Sequence, residues 1–166
     1  LEIEMAAFQA RAPVDLRVNT LKARRADVIA QLRADKFPCE VPAELDDAIR
    51  CPPGVNLTAH PLFLSGAFEI QDWAAQRAVA LSEARPGMRV LDLAAGAGGK
   101  SLALAAAMQN RGSILAFDDK PERLAPLTER AARAGASIIT IAQARGGPLW
   151  GNGRFDLVFL DVPCSG

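Results

Sequence analysis

Cysteine is scarce in this sequence: Cys39, Cys51 and Cys164 are the three present, and no two of them stand in a C-x-x-C spacing. That spread excludes a zinc site or a disulfide framework that sequence alone could reveal. It makes a reducing, cytoplasmic setting without a bound metal the expectation. No run approaches the ~18 apolar residues that a membrane-spanning helix needs, so no membrane partner is expected. The opening LEIEMAAFQAR alternates acids and lacks a basic leading region, which excludes a secretory signal. It begins on Leu1 rather than Met, so further residues are expected upstream. Net charge is zero, from 19 basic and 19 acidic residues, and the molecule as a whole carries no nucleic-acid signal. Histidine occurs once, at His60 in a proline-flanked loop, where a structural or solvent-facing place is expected. There is no internal repeat and no low-complexity tract.

What is present has the balance of a globular protein, with 50% apolar and 23% charged residues. Charge is uneven locally. Arg11, Arg17, Lys22, Arg24, Arg25, Arg33 and Lys36 outnumber Asp15, Asp27 and Asp35 in the stretch 11–36. Such a patch either contacts phosphates or forms a solvated helix face with charge pairs three and four residues apart.

The character of the chain changes near residue 66. Before it, prolines punctuate short segments. DLRVNTL (15–21) alternates like a strand, and 26–34 places Val28, Ile29 and Leu32 on one helical face. Short extended pieces are expected around Cys39–Val41, Val55–Thr58 and Pro61–Leu64. Residues 1–66 thus read as a small α+β module that packs on the remainder of the chain.

From residue 67 onward the rhythm is regular. A helix is expected over 69–84, ending before Pro86-Gly87. Strands at 89–94, 113–118, 137–142 and 155–161 alternate with helices at 100–109 and 121–134, the latter kinked or started at Pro126. Alternation of this kind means right-handed crossovers and a parallel sheet covered on both faces, an α/β fold. Sheets of this type bind ligands beyond the carboxyl ends of their strands. Asp92 to Lys100, Asp118, and Asp161 to Gly166 all fall there. Trp73 and Trp150 are expected to pack rather than to stack on bases.

The loop Ala94-Ala95-Gly96-Ala97-Gly98-Gly99-Lys100 joins the first of these strands to its helix. Glycines let backbone amides and the helix N-terminus approach an anion. Ser101 stands where the third glycine of a dinucleotide fingerprint would be. Asp92, four residues before Gly96, is hostile to a diphosphate. It suits a zwitterionic amino-acid group carrying an ammonium and a sulfonium, as in S-adenosylmethionine; capping the loop is its other reading. Asp118, twenty-two residues after Gly96, is placed to accept from ribose hydroxyls or to cap a helix, a role Asp119 could share. Lys100 faces a cofactor carboxylate, an RNA phosphate or solvent.

At the end of the last strand stands Asp161-Val162-Pro163-Cys164-Ser165-Gly166. Together with Arg17-Val18-Asn19-Thr20, Gln71-Asp72 and the run Leu91-Asp92 to Lys100, this segment resembles the Sun/Nop family of RNA cytosine-C5 methyltransferases, in particular bacterial 16S rRNA enzymes. The resemblance spans residues from about 12 to 166. It implies a Rossmann-like S-adenosylmethionine-dependent methyltransferase core, here an incomplete parallel sheet (67–166) behind an RNA-binding-type module (1–66). It implies S-adenosylmethionine bound by Asp92, Ala94, Ala95, Gly96, Ala97, Gly98, Gly99, Lys100, Asp118 and Asp161. It implies RNA, in the family ribosomal RNA, held by Arg17, Asn19, Lys22, Arg24 and Arg25.

In the family's chemistry a thiolate adds to C6 of cytosine so that C5 can take the methyl group. Asp161 would assist at N3, and Cys164 would assist release of the methylated RNA. The covalent nucleophile is a different cysteine in a later T-C motif. The sequence stops at Gly166, before that motif, so the 166-residue segment is expected not to transfer methyl groups by itself. On chemistry alone Cys164 could be the attacker, as in DNA cytosine-C5 methyltransferases. The family's acid for the adenine amine has no counterpart in Gln143-Ala144-Arg145-Gly146. A non-catalytic RNA-binding or assembly protein on the same fold, and an NAD-dependent oxidoreductase, are the competing readings. Oligomeric state is not legible.

Overall fold

The structure is a computed structural model that describes residues 11–142 and 154–162. Gln143 to Gly153 and Pro163 to Gly166, with Trp150 and Cys164 among them, lie outside the described residues.

Three short strands build the first sheet: β1 (Val14–Val18), β2 (Ala48–Cys51) and β3 (Phe68–Ile70), antiparallel in the order β2-β1-β3. β1 forms within the stretch whose sequence predicts a strand; Leu16 and Val18 are fully buried, and Arg17 between them and Asp15 beside them are buried as well. Helix α1 (Arg25–Ala34) lays Val28 and Leu32 onto this sheet, where they join Ile49, Leu57 and Phe68 in one apolar core.

Four sequence expectations change here. β2, between an acidic run and Pro52-Pro53, escaped periodicity because four residues are too few to show a pattern. Pro61–Leu64 is a helical turn, α2, rather than an extended piece; its N-cap His60 accepts from the Leu62 amide through Nδ1 at 3.1 Å, and Pro61 opens it. Val55–Leu57 joins no sheet, and a turn begins at Thr58, whose amide donates to Asn56 Oδ1. The helix expected over 69–84 begins only at Trp73 (α3, Trp73–Leu81). Asp72 caps it by accepting from the amides of Ala74 and Ala75, while Glu69 and Ile70 pair with Arg17 and Leu16. β3 therefore lies beyond the expected change of character at residue 66 and completes the first sheet.

The second sheet is built from β4 (Arg89–Asp92), β5 (Ser113–Ala116), β6 (Ile139–Ile141) and β7 (Leu157–Phe159), all parallel, in the order β6-β5-β4-β7. Each strand falls within its expected range but is shorter. Helix α4 (Gly99–Ala107) buries Leu102, Leu104 and a run of alanines against Val90, Ile114 and Met108. The expected interruption at Pro126 is present: a 3-10 turn over Pro121–Leu124 precedes α5 (Leu127–Ala134). Pro126 lacks the N–H that an uninterrupted helix would use.

His60 is buried; Nε2 donates to Asp35 Oδ2 at 3.1 Å, and the ring meets Phe37 edge-on. Trp73 is half-buried under the Arg77 guanidinium. Among the described residues no helix is long and apolar enough to cross a membrane, and no cluster of three or more His, Cys, Asp or Glu is placed to hold a metal ion.

Candidate functional site

The carboxyl ends of β4, β5 and β7 meet at one edge of the parallel sheet, and the sequence-marked residues converge there. β4 hands the chain to the glycine loop, which is tied down on both sides. The Leu93 amide donates to Phe159 O and the Ala95 amide to Phe117 O, both at 2.9 Å. Gly98 caps α4 with φ +84°, and a Cβ there would lie 2.1 Å from Leu127 Cδ1. This position therefore requires glycine both for its backbone and for the close approach of α5. Gly96, at φ +51°, is different: open space lies where its Cβ would project.

Above the loop is a cavity of about 410 Å³, lined in part by Ala94, Gly96, Ala97, Gly99, Asp118 and Asp161. A second cavity of about 470 Å³ shares Ala94, Asp118, Arg123 and Val162 with it. Asp118, 4% exposed, links the parts of this site. It accepts from the Gly96 amide through Oδ2 and from the Lys120 amide through Oδ1, each at 3.0 Å, with Arg123 Nη1 at 3.7 Å. Burial opposes its charge, but the Lys120 amide, a hydrogen bond with the Asp119 side chain, the Gly96 amide and Arg123 outweigh that and hold the carboxyl below the usual range. Its carboxylate thus joins the glycine loop to the turn after β5 rather than capping a helix, since Lys120 is the N-cap of the following 3-10 turn and has no side-chain cap bond. Lys100 leaves the first turn of α4 to form an ion pair with Asp161.

Asp92 is placed differently from expectation. It is 1% exposed and does not line the cavity. It lies beneath the loop, accepting from Ser101 Oγ at 2.6 Å and from the Ala94 amide. Burial raises its pKa, while Ser101, the Ala94 amide and Lys100 pull the other way. Its contact is with the frame of the loop, and Ser101, noted only as a missing glycine, is its partner.

The expected RNA-facing set divides. Arg17 and Asn19 are buried rather than at the surface, each held by an internal hydrogen-bond partner. Arg17 Nε donates to Gln71 Oε1 at 2.6 Å, and burial lowers its pKa to about 10 against the pull of Glu69 and Asp47. Asn19 Nδ2 donates to Gly66 O at 2.8 Å and to Ala134 O, the last carbonyl of α5, at 2.7 Å. Lys22 is exposed, but its ammonium caps the same helix end through Arg133 O at 2.6 Å and also bonds Ser65 O. Arg25 is half-buried and donates to Leu45 O; Arg24 is exposed and pairs with Asp27.

Three residues at the site had no sequence-derived role. Gln71 lines the cavity as well as holding Arg17, and Arg123 and Arg130 reach it from the segment after β5. Arg130 donates to Ala97 O in the loop at 2.7 Å and to buried Glu69 of β3 at 2.8 Å. Arg123 lies in the 3-10 turn and Arg130 in α5, on either side of Pro126, so no single helical spacing marks the pair in the sequence.

A four-stranded parallel sheet whose first strand opens into a glycine loop, followed by an acid at the end of the second strand, defines a Rossmann-like methyltransferase core, and the solved structures agree. A methyltransferase homolog from Pyrococcus horikoshii superposes with TM-score 0.85 at 30% identity, covering 97% of this chain and 53% of its own. NSun6 from Pyrococcus horikoshii, solved with SFG, shares the fold at TM-score 0.84 and 17% identity over 93% of this chain and 64% of its own. The family model for 16S rRNA methyltransferase RsmB/F matches residues 79–166, that for the RsmF/B-like ferredoxin-like domain matches residues 3–58, and the chain belongs to this family. A probable ribosomal RNA small subunit methyltransferase B of Bacillus subtilis is 32% identical over 91% of this chain and 34% of its own length. A 28S rRNA (cytosine-C(5))-methyltransferase of Mus musculus is 31% identical over 80% of this chain and 32% of its own. The chain spans about a third of the length of these curated relatives.

Proposed function

We propose that this chain is the cofactor-binding part of an S-adenosylmethionine-dependent methyltransferase that acts on cytosine C5 of ribosomal RNA, with 16S rRNA as the substrate. The observation that carries the reading is the convergence of the glycine loop, Asp118 and Asp161 around one cavity at the carboxyl edge of the parallel sheet. The residues present fit such a cofactor. The space beside Gly96 is open, and first-turn amides of α4 have no acceptor within their own helix. Both cations (Lys100, Arg123, Arg130) and carboxylates (Asp118, Asp161) line the cavity, which suits a zwitterionic ligand.

When bound, the cofactor supplies an electrophilic methyl group on sulfur. The chain's residues then divide the work. Asp118 accepts from ribose hydroxyls with the oxygen lone pairs left over from Gly96 and Lys120. The backbone from Ala94 to Gly99 orients the amino-acid end, and Asp92 with Ser101 holds that backbone in shape. Asp161 hydrogen-bonds the cytosine ring at N3 once Lys100 releases it, and Lys100 is then free to face a carboxylate or a phosphate. Cys164 assists release of the methylated RNA. Arg24 and Arg25, with Lys22, form the RNA-facing edge of the N-terminal module, which we take to end after β3.

The test is calorimetric titration of the folded protein with S-adenosylhomocysteine, and with NAD as the comparison. Saturable one-to-one binding of the former alone is expected. A folded sample that binds NAD, or neither ligand, overturns the cofactor reading. Incorporation of labelled methyl groups into 16S rRNA by the whole natural protein tests the substrate; cofactor binding without incorporation would favour a non-catalytic RNA-binding role.

A further inference from the structure

Cys39 and Cys51 are twelve residues apart in sequence, and the fold sets them opposite one another. The segment before β2 touches it through an antiparallel bridge between Glu40 and Arg50. Both backbone bonds of that bridge are made, Glu40 N–H to Arg50 O at 2.8 Å and Arg50 N–H to Glu40 O at 2.9 Å. It is thus a hydrogen-bonded pair, and the next pair outward, Cys39 with Cys51, is a non-hydrogen-bonded one. In such pairs the Cα atoms stand about 4.5 Å apart with side chains on the same face. A disulfide spans Cα separations of about 4.4–6.8 Å.

The surroundings suit reaction at this pair. Both thiols are free, Cys51 buried and Cys39 half-buried. Cys51 belongs to the core of the first sheet, and Cys39 packs against that same core. Both line a cavity of about 530 Å³ walled by Pro13, Pro38, Pro52 and Pro53, with Glu40 and Arg50 at its polar side. Burial, then Cys39, then Asp15 push the Cys51 thiol up to about 11. Cys39 is therefore the thiol that a reagent meets first, with Cys51 behind it.

We propose that Cys39 and Cys51 form a dithiol modification site that exchanges with small-molecule disulfides to close an intrachain Cys39–Cys51 bond. In the first step the Cys39 thiolate attacks one sulfur of the small disulfide, expels one small thiol and becomes a mixed disulfide. In the second, the Cys51 thiol loses its proton to solvent, attacks the Cys39 sulfur and expels the second small thiol. The two cysteines are oxidised by two electrons in total, and the small disulfide is reduced to two thiols. Closure fixes both ends of the segment between them, which carries Glu44, bonded to Arg77 of α3, and the Leu45 carbonyl, bonded to Arg25. The site stands apart from the cofactor cavity and does not depend on its assignment.

The experiment treats the folded protein, in a Cys164→Ser background, with oxidised glutathione and maps its peptides by mass spectrometry. A peptide pair joined through Cys39 and Cys51, lighter by two hydrogens and retaining no glutathione, is expected. Cys51→Ser should trap glutathione on Cys39. As an independent probe, phenylarsine oxide should consume both thiols at one equivalent, binding at least about tenfold more weakly when either cysteine is replaced, since the second sulfur no longer acts at high effective concentration. The parent protein decides alone if a variant fails to fold. Glutathione retained on Cys39 beside a free Cys51, or two unreacted thiols that also ignore the arsenical, would overturn the proposal.

Discussion

Ser101 Oγ donates to Asp92 Oδ2 across 2.6 Å, between two side chains that are 0% and 1% exposed. This bond ties the first turn of α4 to the end of β4 and closes the glycine loop from below. Ser101→Ala leaves a buried carboxylate short of a donor, and removing a hydrogen bond to a charged group costs about 1.5–3 kcal/mol. Urea unfolding should report a loss in that range. A change under about 0.5 kcal/mol would mean that the loop does not rely on this bond.

Gly96 and Gly98 separate two consequences of the same loop. Gly98→Ala meets both a left-handed backbone and the Leu127 side chain, so a loss of about 2–4 kcal/mol is expected. Gly96→Ala meets open space and carries only the backbone strain, on the order of 1 kcal/mol. Its methyl group projects into the cavity, so it should weaken cofactor binding more than it lowers the melting temperature. Equal destabilisation by both variants would contradict this account.

Asn19 is expected to matter for stability and Arg24 not to. Asn19→Ala removes two buried bonds, to Gly66 O and Ala134 O, and should cost about 2–4 kcal/mol. Arg24→Ala removes an exposed pair with Asp27 and should stay within about 0.5 kcal/mol, as surface ion pairs do. If Arg24 faces RNA, its loss should instead flatten the salt dependence of RNA binding, which a filter-binding series in KCl would measure.

Asp118 gives a pH prediction. Its pKa in the folded chain is lowered, so its contribution is fully present above the ordinary aspartate value of about 3.9 and disappears as pH falls through the lowered folded value. Asp118→Asn should therefore be less stable than the parent at about pH 6, and the gap should close below about pH 4. Parallel curves for the two proteins from about pH 7 to about pH 2 would show that the charge at Asp118 does not stabilise the loop.

The parallel sheet was legible because its strands are continuous apolar runs, the first three of them separated by helix-period segments of ordinary length. The N-terminal module was less so. Phe68–Ile70 runs on without a break into a helical pattern, and its strand state is set by β1, a partner about fifty residues away. The ends of the strands were overestimated for a related reason: Leu93 and Ala94 read as strand, yet their backbone turns away to form the cavity floor. Pro126 was read correctly, since the lack of an N–H is a local property.

At the site, position was legible and direction was not. Asp92, Asp118 and Asp161 all arrive at one edge of the sheet, as strand endings must. Asp118 and Asp161 reach the cavity, whereas Asp92 turns under the loop, where Ser101 Oγ and the Ala94 amide donate to it. Arg17 and Asn19 illustrate the same limit, since a basic or polar residue in a sequence carries no mark of the carbonyl or amide that will claim it.

Sequence by itself determined the alternation of strands and helices, the glycine-bearing turn and the residues that chemistry could use, because periodicity, φ preference and functional groups are properties of neighbours along the chain. Tertiary structure alone decided which of those groups face a cavity, which staple the two sheets together and which cysteines meet. Those outcomes depend on partners brought close only by packing, where each buried polar group must find its counterpart or leave the core.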